Sequence, residues 1–458
     1  MFFEECSVYP RIVRVNSVTR ICGRFFDMPR DFRLGLNSVV KIEWVCNQGD
    51  DFDGELPSFG SYTDCGIELD DKGNFEFDFR SGGEGEYSFR IQLVQAEGNI
   101  VPLGNFSFYA LEEDLFSLRP FKGDTHAHTC FSQCGKITEE PEYVAAMARS
   151  RGLDFLFVTD HFQQEPSLKA AEKLAQFASD FKVFPGEECH APRERIPEPR
   201  FYNKYAGPAI HYLSLGAEQG VVKYTCDHYE EYSAFLEKRM AELDQNVPED
   251  QRQTMAAIDW IVNKTHEFGG VSVYAHPFWR PAMRLHQPRL VREYIMENGR
   301  FDAVEVIGLG AGPANQDFAE GNSNCMNWLC EQSIKLGRRI NVTGSTDMHD
   351  SVTLAGYQYT VAFAPACELE DIKNAIRTGN TVAVSNHPGE RRLVWGSWRL
   401  VQYTNFLVRE YFPEHDEACC IDGKLMHQVQ RGEIPLETAN AYGKGRLEAL
   451  RKRWWAAE

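Results

Sequence analysis

Short clusters of His, Asp and Glu recur between positions 124 and 349, and most stand directly after a short apolar run. They read Asp124-Thr125-His126-Ala127-His128, Thr159-Asp160-His161, Gly186-Glu187, His211, Ala275-His276-Pro277 and Asp347-Met348-His349. Each apolar run reads as a buried β-strand. Strand ends converge in an α/β barrel, so residues far apart in the chain become neighbours. Imidazoles and carboxylates gathered in one place are what divalent metals bind. The pattern therefore predicts a strand–helix chain carrying one multi-metal site.

The 458 residues suffice for two or three domains. A formal charge of −19 argues against gripping a nucleic-acid backbone, which demands Lys/Arg surfaces. It does not forbid a phosphate substrate, because bound cations invert the local field. The start, Met1-Phe2-Phe3-Glu4-Glu5-Cys6, has no basic n-region, and no run of about 18 apolar residues appears. Thirteen irregularly spaced cysteines without a CxxC pair read as reduced packing thiols. The expected location is cytoplasmic, with no membrane partner and an oligomer left open.

Residues 1–117 read as an N-terminal β-sandwich. Val39 to Val45 and Asn74 to Phe79 alternate apolar and polar residues, and Asn47-Gln48-Gly49-Asp50, Asp71-Lys72-Gly73 and Gly82 to Gly85 are turns. Residues 118–394 alternate helix and strand. Phe155 to Val158, Val271 to Tyr274, Ala303 to Ile307 and Tyr359 to Phe363 are apolar strands, as in a sheet covered on both faces. Residues 395–458 read as a helical extension, with Leu400, Tyr403, Phe406, Leu407 and Tyr411 as a core-facing stripe.

His126 and His128 lie two apart, so on a strand both point one way and can grip one ion. Asp124 shares that face and could orient a ligating ring. His161 reads as a ligand. Asp160 is open between ligand, orienting group and proton carrier. Glu187 could bridge two cations, whereas Glu188 faces the other side and reads as solvated or structural. His211 precedes its apolar run and is the weakest member. Asp347 and His349 repeat the spacing of the two-histidine pair. His190, His228, His266, His286, His387, His415 and His427 lack strand-end placement and read as bland, with His190 and His387 the first exceptions.

The order of these motifs over residues 118 to 390 resembles the PHP family, the polymerase and histidinol phosphatase metal-dependent phosphoesterases. The β-rich region before Arg119 to His128 looks like a bacterial two-domain subgroup that also contains hydrolases of carbamate esters. The resemblance implies an α/β fold with a distorted (β/α)7 PHP barrel, its metals at the C-terminal ends of the strands. It also implies His126, His128, Glu187 and Asp347 on a first ion. Glu187, His211 and His276 would hold a second, and His161 and His349 a third. The family usually adds a ligand from the loop after the two histidines. Here that loop reads Ser132-Gln133-Cys134-Gly135, which offers Cys134.

The expected activity is hydrolysis of a small phosphoester by a metal-activated hydroxide, on two or three Zn, Mn or Fe ions. Asp160 or Asp347 would take a proton, Arg280 would clamp an anionic oxygen and Trp279 would wall the pocket. The same ligands would serve a carboxylester or carbamate hydrolase. A non-catalytic metal-stabilised binding protein is the remaining alternative.

Overall fold

The computed structural model describes residues 6–25, 39–47, 61–67, 74–94, 98–192, 206–278, 287–308, 316–443 and 445–457. The chain divides into two compact units. One takes residues 1–119 with 402–415 and 445–458, and the other takes 120–401 with 416–444. The C-terminal segment is helical, and its residues are shared between both units.

The first unit holds strands β1 (Cys6–Tyr9), β2 (Ile12–Arg14), β3 (Val18–Phe25), β4 (Val39–Cys46), β5 (Ser61–Ile67), β6 (Asn74–Arg80), β7 (Gly85–Val94) and β8 (Ile100–Leu111). They form a three-stranded sheet, β1-β3-β6, and a five-stranded sheet, β2-β8-β7-β4-β5. In β6, Phe75, Phe77 and Phe79 are buried while Glu76, Asp78 and Arg80 are exposed, the alternation of a one-sided strand. Those rings meet Tyr87, Phe89 and Phe108 of the other sheet in one core. Phe79 and Phe89 pack edge to face at 4.8 Å. Two faces sharing one aromatic core make a sandwich. Within the same unit Tyr403 lies 4.8 Å from Tyr109 of β8, and Tyr403, Phe406, Leu407 and Tyr411 of the sequence stripe are buried.

The second unit is mixed α/β. Its strands are β9 (Arg119–Asp124), β10 (Phe155–Phe157), β11 (Lys182–Phe184), β12 (Gly186–Pro192), β13 (Ala206–Leu215), β14 (Val271–Tyr274), β15 (Ala303–Ile307), β16 (Val342–Gly344), β17 (Gln358–Ala364), β18 (Thr381–Ser385) and β19 (Leu393–Trp395). They sort into a six-stranded sheet, β11-β10-β9-β17-β18-β19, and a five-stranded sheet, β12-β13-β14-β15-β16. Pairing is parallel among β9, β10 and β11 and among β14, β15 and β16. It is antiparallel from β12 through β13 to β14 and from β17 through β18 to β19. Among the described residues no strand pairing joins the two sheets into one ring. They share a core all the same: Phe121, Phe155, Phe157 and Phe184 of one sheet meet Leu213, Leu215, Val271 and Val273 of the other.

Strands β10, β14, β15, β17 and β18 are buried along their whole length, as their apolar composition requires once helices cover the sheets. Helices Pro141–Ser150, Glu165–Leu174, Glu249–Glu267, Arg289–Glu297, Gln316–Leu336 and Leu369–Thr378 alternate with them. Pro141 opens its helix where a missing N–H costs nothing. Leu369–Thr378 stops at Gly379, which adopts φ 72°.

Candidate metal centre

β9 ends at Asp124, and that side chain holds the turn into the two histidines. Its buried carboxylate accepts the N–H groups of His126 at 3.0 Å and Thr346 at 3.1 Å, and also the Thr346 hydroxyl. The ends of β9 and β16 are thereby tied together. The His128 N–H adds a bond to the Met348 carbonyl at 2.9 Å. Asp124 was expected to orient a ligating ring, but backbone amides and a threonine take its oxygens. Burial pushes its pKa up to about 7.

His126 and His128 point the same way, and each is anchored through Nδ1. His126 Nδ1 lies 3.1 Å from Oε1 of Glu305, in the middle of β15. Glu305 also accepts the Ser345 hydroxyl at Oε1 and the His276 N–H at Oε2, the latter at 2.9 Å. His128 Nδ1 lies 3.0 Å from Ser132 Oγ, and the Ser132 hydroxyl donates to Asp160 Oδ1 at 2.6 Å. With its only proton committed, Ser132 can only accept from the ring. The donor–acceptor balance thus assigns the proton of both rings to Nδ1 and leaves both Nε2 lone pairs facing inward. Those two Nε2 atoms stand 3.2 Å apart.

The carboxylate that meets them is Glu188. Its Oε2 lies 3.4 Å from His126 Nε2, 3.3 Å from His128 Nε2 and 2.7 Å from His161 Nδ1. Its Oε1 lies 2.6 Å from His211 Nδ1 and 3.3 Å from His276 Nε2. Glu187, the expected bridge, is corrected here. Its oxygens accept the N–H groups of Val221 at 2.7 Å and Val222 at 3.0 Å, at the start of the helix Val221–Asp227. Neighbours on a strand face opposite ways, so only one of the pair can reach the histidines.

His190, two residues beyond Glu188 on the same face of β12, also joins the cluster. It pairs in register with His211 of β13, and the two rings stack at 3.6 Å. Its Nε2 lies 3.0 Å from His161 Nδ1. Asp347 completes the inner set, with Oδ1 at 2.8 Å from His128 Nε2 and 3.2 Å from His126 Nε2. Asp347 and His276 hold φ of 50° and 28°, uncommon for residues other than glycine. Backbone strain of this kind persists where surrounding contacts over-determine it, and it clusters at functional sites.

Two carboxylates and inward-turned imidazole lone pairs converge here with almost no access to water. Glu188 Oε2 is fully buried and makes no hydrogen bond of proper geometry. Acceptors aimed at acceptors in a buried space repel unless a cation lies between them. The donor set therefore fits divalent ions. His126, His128, Asp347 and Glu188 Oε2 could hold one, and His211, His276 and Glu188 Oε1 another. His128, Cys134, His161 and His349 also offer donor atoms within 4.8 Å of one another.

Against its burial, His126 is held well above the ordinary imidazole value by Asp347, Glu305 and Glu188. Burial opposes it, but His161, His211 and His126 hold Glu188 well below the usual carboxylate range. Asp347 is also lowered against its burial, first by the charge of the nearby His126 ring. Burial lowers His128 to about 3 with His349 adding repulsion, and burial also takes His211 down to about 4. Against burial, Glu188 and Cys134 push His161 up to about 10, and Cys134 and Asp347 push His349 up to about 9. The acidic neighbours thus favour positive charge at His161 and His349, the charge that an ion would supply.

Of the residues expected from sequence, His126, His128, Cys134, His161, His211, His276, Asp347 and His349 come together. In the sequence Asp160 is open between ligand, orienting group and proton carrier. Its Oδ1 accepts the Thr129 N–H at 2.8 Å and the Ser132 hydroxyl, and its Oδ2 accepts the Thr129 hydroxyl at 2.6 Å. Both oxygens are spent on holding the 129–132 loop, so Asp160 is a positioning residue. Arg280 and Trp279 lie outside the described residues. Sequence reasoning missed Glu188, His190, Glu305 and Ser132. The spacing of Glu188 and His190 repeats that of His126 and His128, and Glu305 is a lone acid in a wholly apolar strand.

The chain matches no protein-family model and no curated protein. Among solved structures it is similar to a two-domain protein from Bacteroides vulgatus ATCC 8482 containing a predicted PHP-like metal-dependent phosphoesterase. Identity there is 15%, over 59% of this chain and 66% of that one, with a TM-score of 0.37. A candidate metal-dependent phosphoesterase from Bifidobacterium adolescentis ATCC 15703 gives 17% identity, over 56% of this chain and 94% of that one, at a TM-score of 0.32. The lesion-specific endonuclease PfuEndoQ from Pyrococcus furiosus gives 12%, over 73% and 90%, at 0.34. No described helix is long and apolar enough to cross a membrane.

Proposed function

We propose that this chain is a metal-dependent hydrolase of small phosphoesters, built on a PHP-type barrel. The observation that carries the reading is the position of Glu188, whose two oxygens face two separate groups of imidazoles. A buried carboxylate so placed suits a pair of ions sharing one bridge, the arrangement that serves displacement at phosphorus. The motif order from Asp124 to His349 supports the same assignment.

The ions, when bound, would acidify a water and neutralise charge on the substrate. The remaining roles belong to this chain's own side chains. Glu305 and Ser132 hold His126 and His128 in the tautomer that presents Nε2. Asp124 fixes the spacing of the β9 and β16 ends, and Asp160 fixes the loop that carries Ser132. Asp347 stays ionised against its burial and so faces the ligands as an anion. The metals expected from the sequence, Zn, Mn or Fe, all suit imidazole with carboxylate.

The test is hydrolysis of chromogenic phosphomonoester, phosphodiester and carboxylester substrates by the chelator-stripped chain reloaded with Zn or Mn. Glu188→Gln is the control. Phosphoester turnover that is lost in the control bears the proposal out. Turnover of the carboxylester alone moves the assignment to a carboxylester or carbamate hydrolase. Metal binding without turnover of any ester leaves a metal-stabilised binding protein.

A further inference from the structure

His190 is a buried ring of the centre to which none of the donor sets above gives a task. Side chains alternate along β12, so Cys189 packs into the apolar core while Glu188 and His190 turn to the histidines. His190 touches two rings on different sides of Glu188. Its ring stacks on His211 at 3.6 Å with 23° between the planes, and its Nε2 lies 3.0 Å from His161 Nδ1. Glu188 Oε2 is nearer to that Nδ1, at 2.7 Å, but takes no hydrogen bond of proper geometry. Of these two neighbours only His190 makes a hydrogen bond with it. The backbone fixes the approach. The Phe162 N–H donates to the Glu188 carbonyl at 3.1 Å and the Glu188 N–H to the Asp160 carbonyl at 3.2 Å, which lays residues 160–162 alongside the start of β12.

We propose that His190 is a positioning residue: it accepts a hydrogen bond from His161 Nδ1, which sets His161 in the tautomer that offers Nε2 to an ion, and its ring face fixes the plane of His211. An imidazole that binds an ion through one nitrogen carries its proton on the other, and that N–H needs an acceptor. His161 is buried, so the acceptor has to come from the chain. Only one of two ring nitrogens joined by a hydrogen bond can carry the proton. His190 then keeps its own proton on Nδ1 and holds no ion itself. One side chain thus orients two rings, His211 beside Glu188 Oε1 and His161 beside Glu188 Oε2. The role rests on the metal-dependent reading given above.

The two contacts can be removed separately. His190→Gln keeps an acceptor oxygen at a similar reach and loses the ring. His190→Phe keeps a ring face against His211 and loses the acceptor. The full-length chain is stripped with chelator, kept reduced, reloaded with Zn and titrated against a chromogenic chelator. His190→Phe should weaken zinc binding about 10–100-fold, and His190→Gln should recover most of that loss. Long-range proton–nitrogen NMR spectra of the zinc-loaded wild type with isotope-labelled histidine, assigned through His161→Gln, give a signature that a merely structural role would not. They should show His161 bound through Nε2 with its proton on Nδ1, and His190 without zinc. The wild-type spectrum decides the question even where a His190 variant fails to fold. Zinc on His190, zinc on His161 Nδ1, or wild-type affinity in His190→Phe overturns the proposal and leaves the metal centre standing. Equal loss of affinity in both His190 variants overturns the acceptor role. No zinc uptake by wild type overturns the metal-dependent reading as well.

Discussion

The two neighbouring glutamates make opposite predictions. Glu188→Gln removes the carboxylate that stands within 3.4 Å of five imidazole nitrogens. Substituting groups that merely orient metal ligands costs 10–100-fold in affinity, so losing the bridge should exceed about 100-fold, or roughly 2.7 kcal/mol. The variant should lose at least one metal equivalent. Glu187→Gln keeps an oxygen for one of the two N–H donors of Val221 and Val222 but loses the other bond and the charge. Hydrogen bonds to a charged group contribute about 1.5–3 kcal/mol each, so stability should fall by about that much with metal content unchanged. Elemental analysis after gel filtration and chemical denaturation separate the two. Full metal in Glu188→Gln with loss in Glu187→Gln would refute the reasoning and restore the assignment drawn from strand spacing.

The anchoring groups give further expectations. Ser132→Ala leaves His128 Nδ1 without its acceptor and Asp160 Oδ1 with one donor fewer, and should weaken metal binding about 10–100-fold in a competition titration with a chromogenic chelator. Glu305→Gln should do the same through His126 Nδ1, and wild-type affinity in either variant would contradict the tautomer assignment. The pH dependence has a definite sign. In the metal-free chain the raised pKa values of His161 and His349, about 10 and 9, give stability that is complete below the ordinary histidine value of about 6.5 and is lost as pH rises through 9 to 10. An incoming ion must displace those protons, so affinity should climb with pH across that window. Calorimetry in buffers of different ionisation enthalpy should record proton release near pH 7.5, and its absence would refute the electrostatic picture.

The strand-end motifs were legible because a polar residue closing a buried apolar run needs a reason to be there. His126, His128, His161, His276 and Asp347 all met that test and all lie in the cluster. The glutamates failed it for a physical reason. Pro185 separates β11 from β12, so the phase of Gly186–Pro192 cannot be carried over from the preceding strand. His190 held the answer, since Glu188 and His190 share a face and Glu187 does not. Glu305 was visible as the one acid of an otherwise apolar strand, but sequence order does not show that it turns toward the His126 ring 179 positions away. Asp160 stood where a ligand would stand, but its partners Thr129 and Ser132 lie some 30 residues earlier, and sequence order does not show that they fold back onto it. The parallel strands were legible as alternation of strand and helix. The antiparallel joins at β13 and β18 were not, because a buried strand reads the same in either direction.

The most direct measurement is an anomalous difference map from crystals of the full chain grown with Zn or Mn. Two peaks flanking the Glu188 carboxylate are predicted, each at about 2.0–2.2 Å from its nitrogen and oxygen ligands. Their absence at Glu188, or peaks placed beside Glu187 instead, would contradict the account.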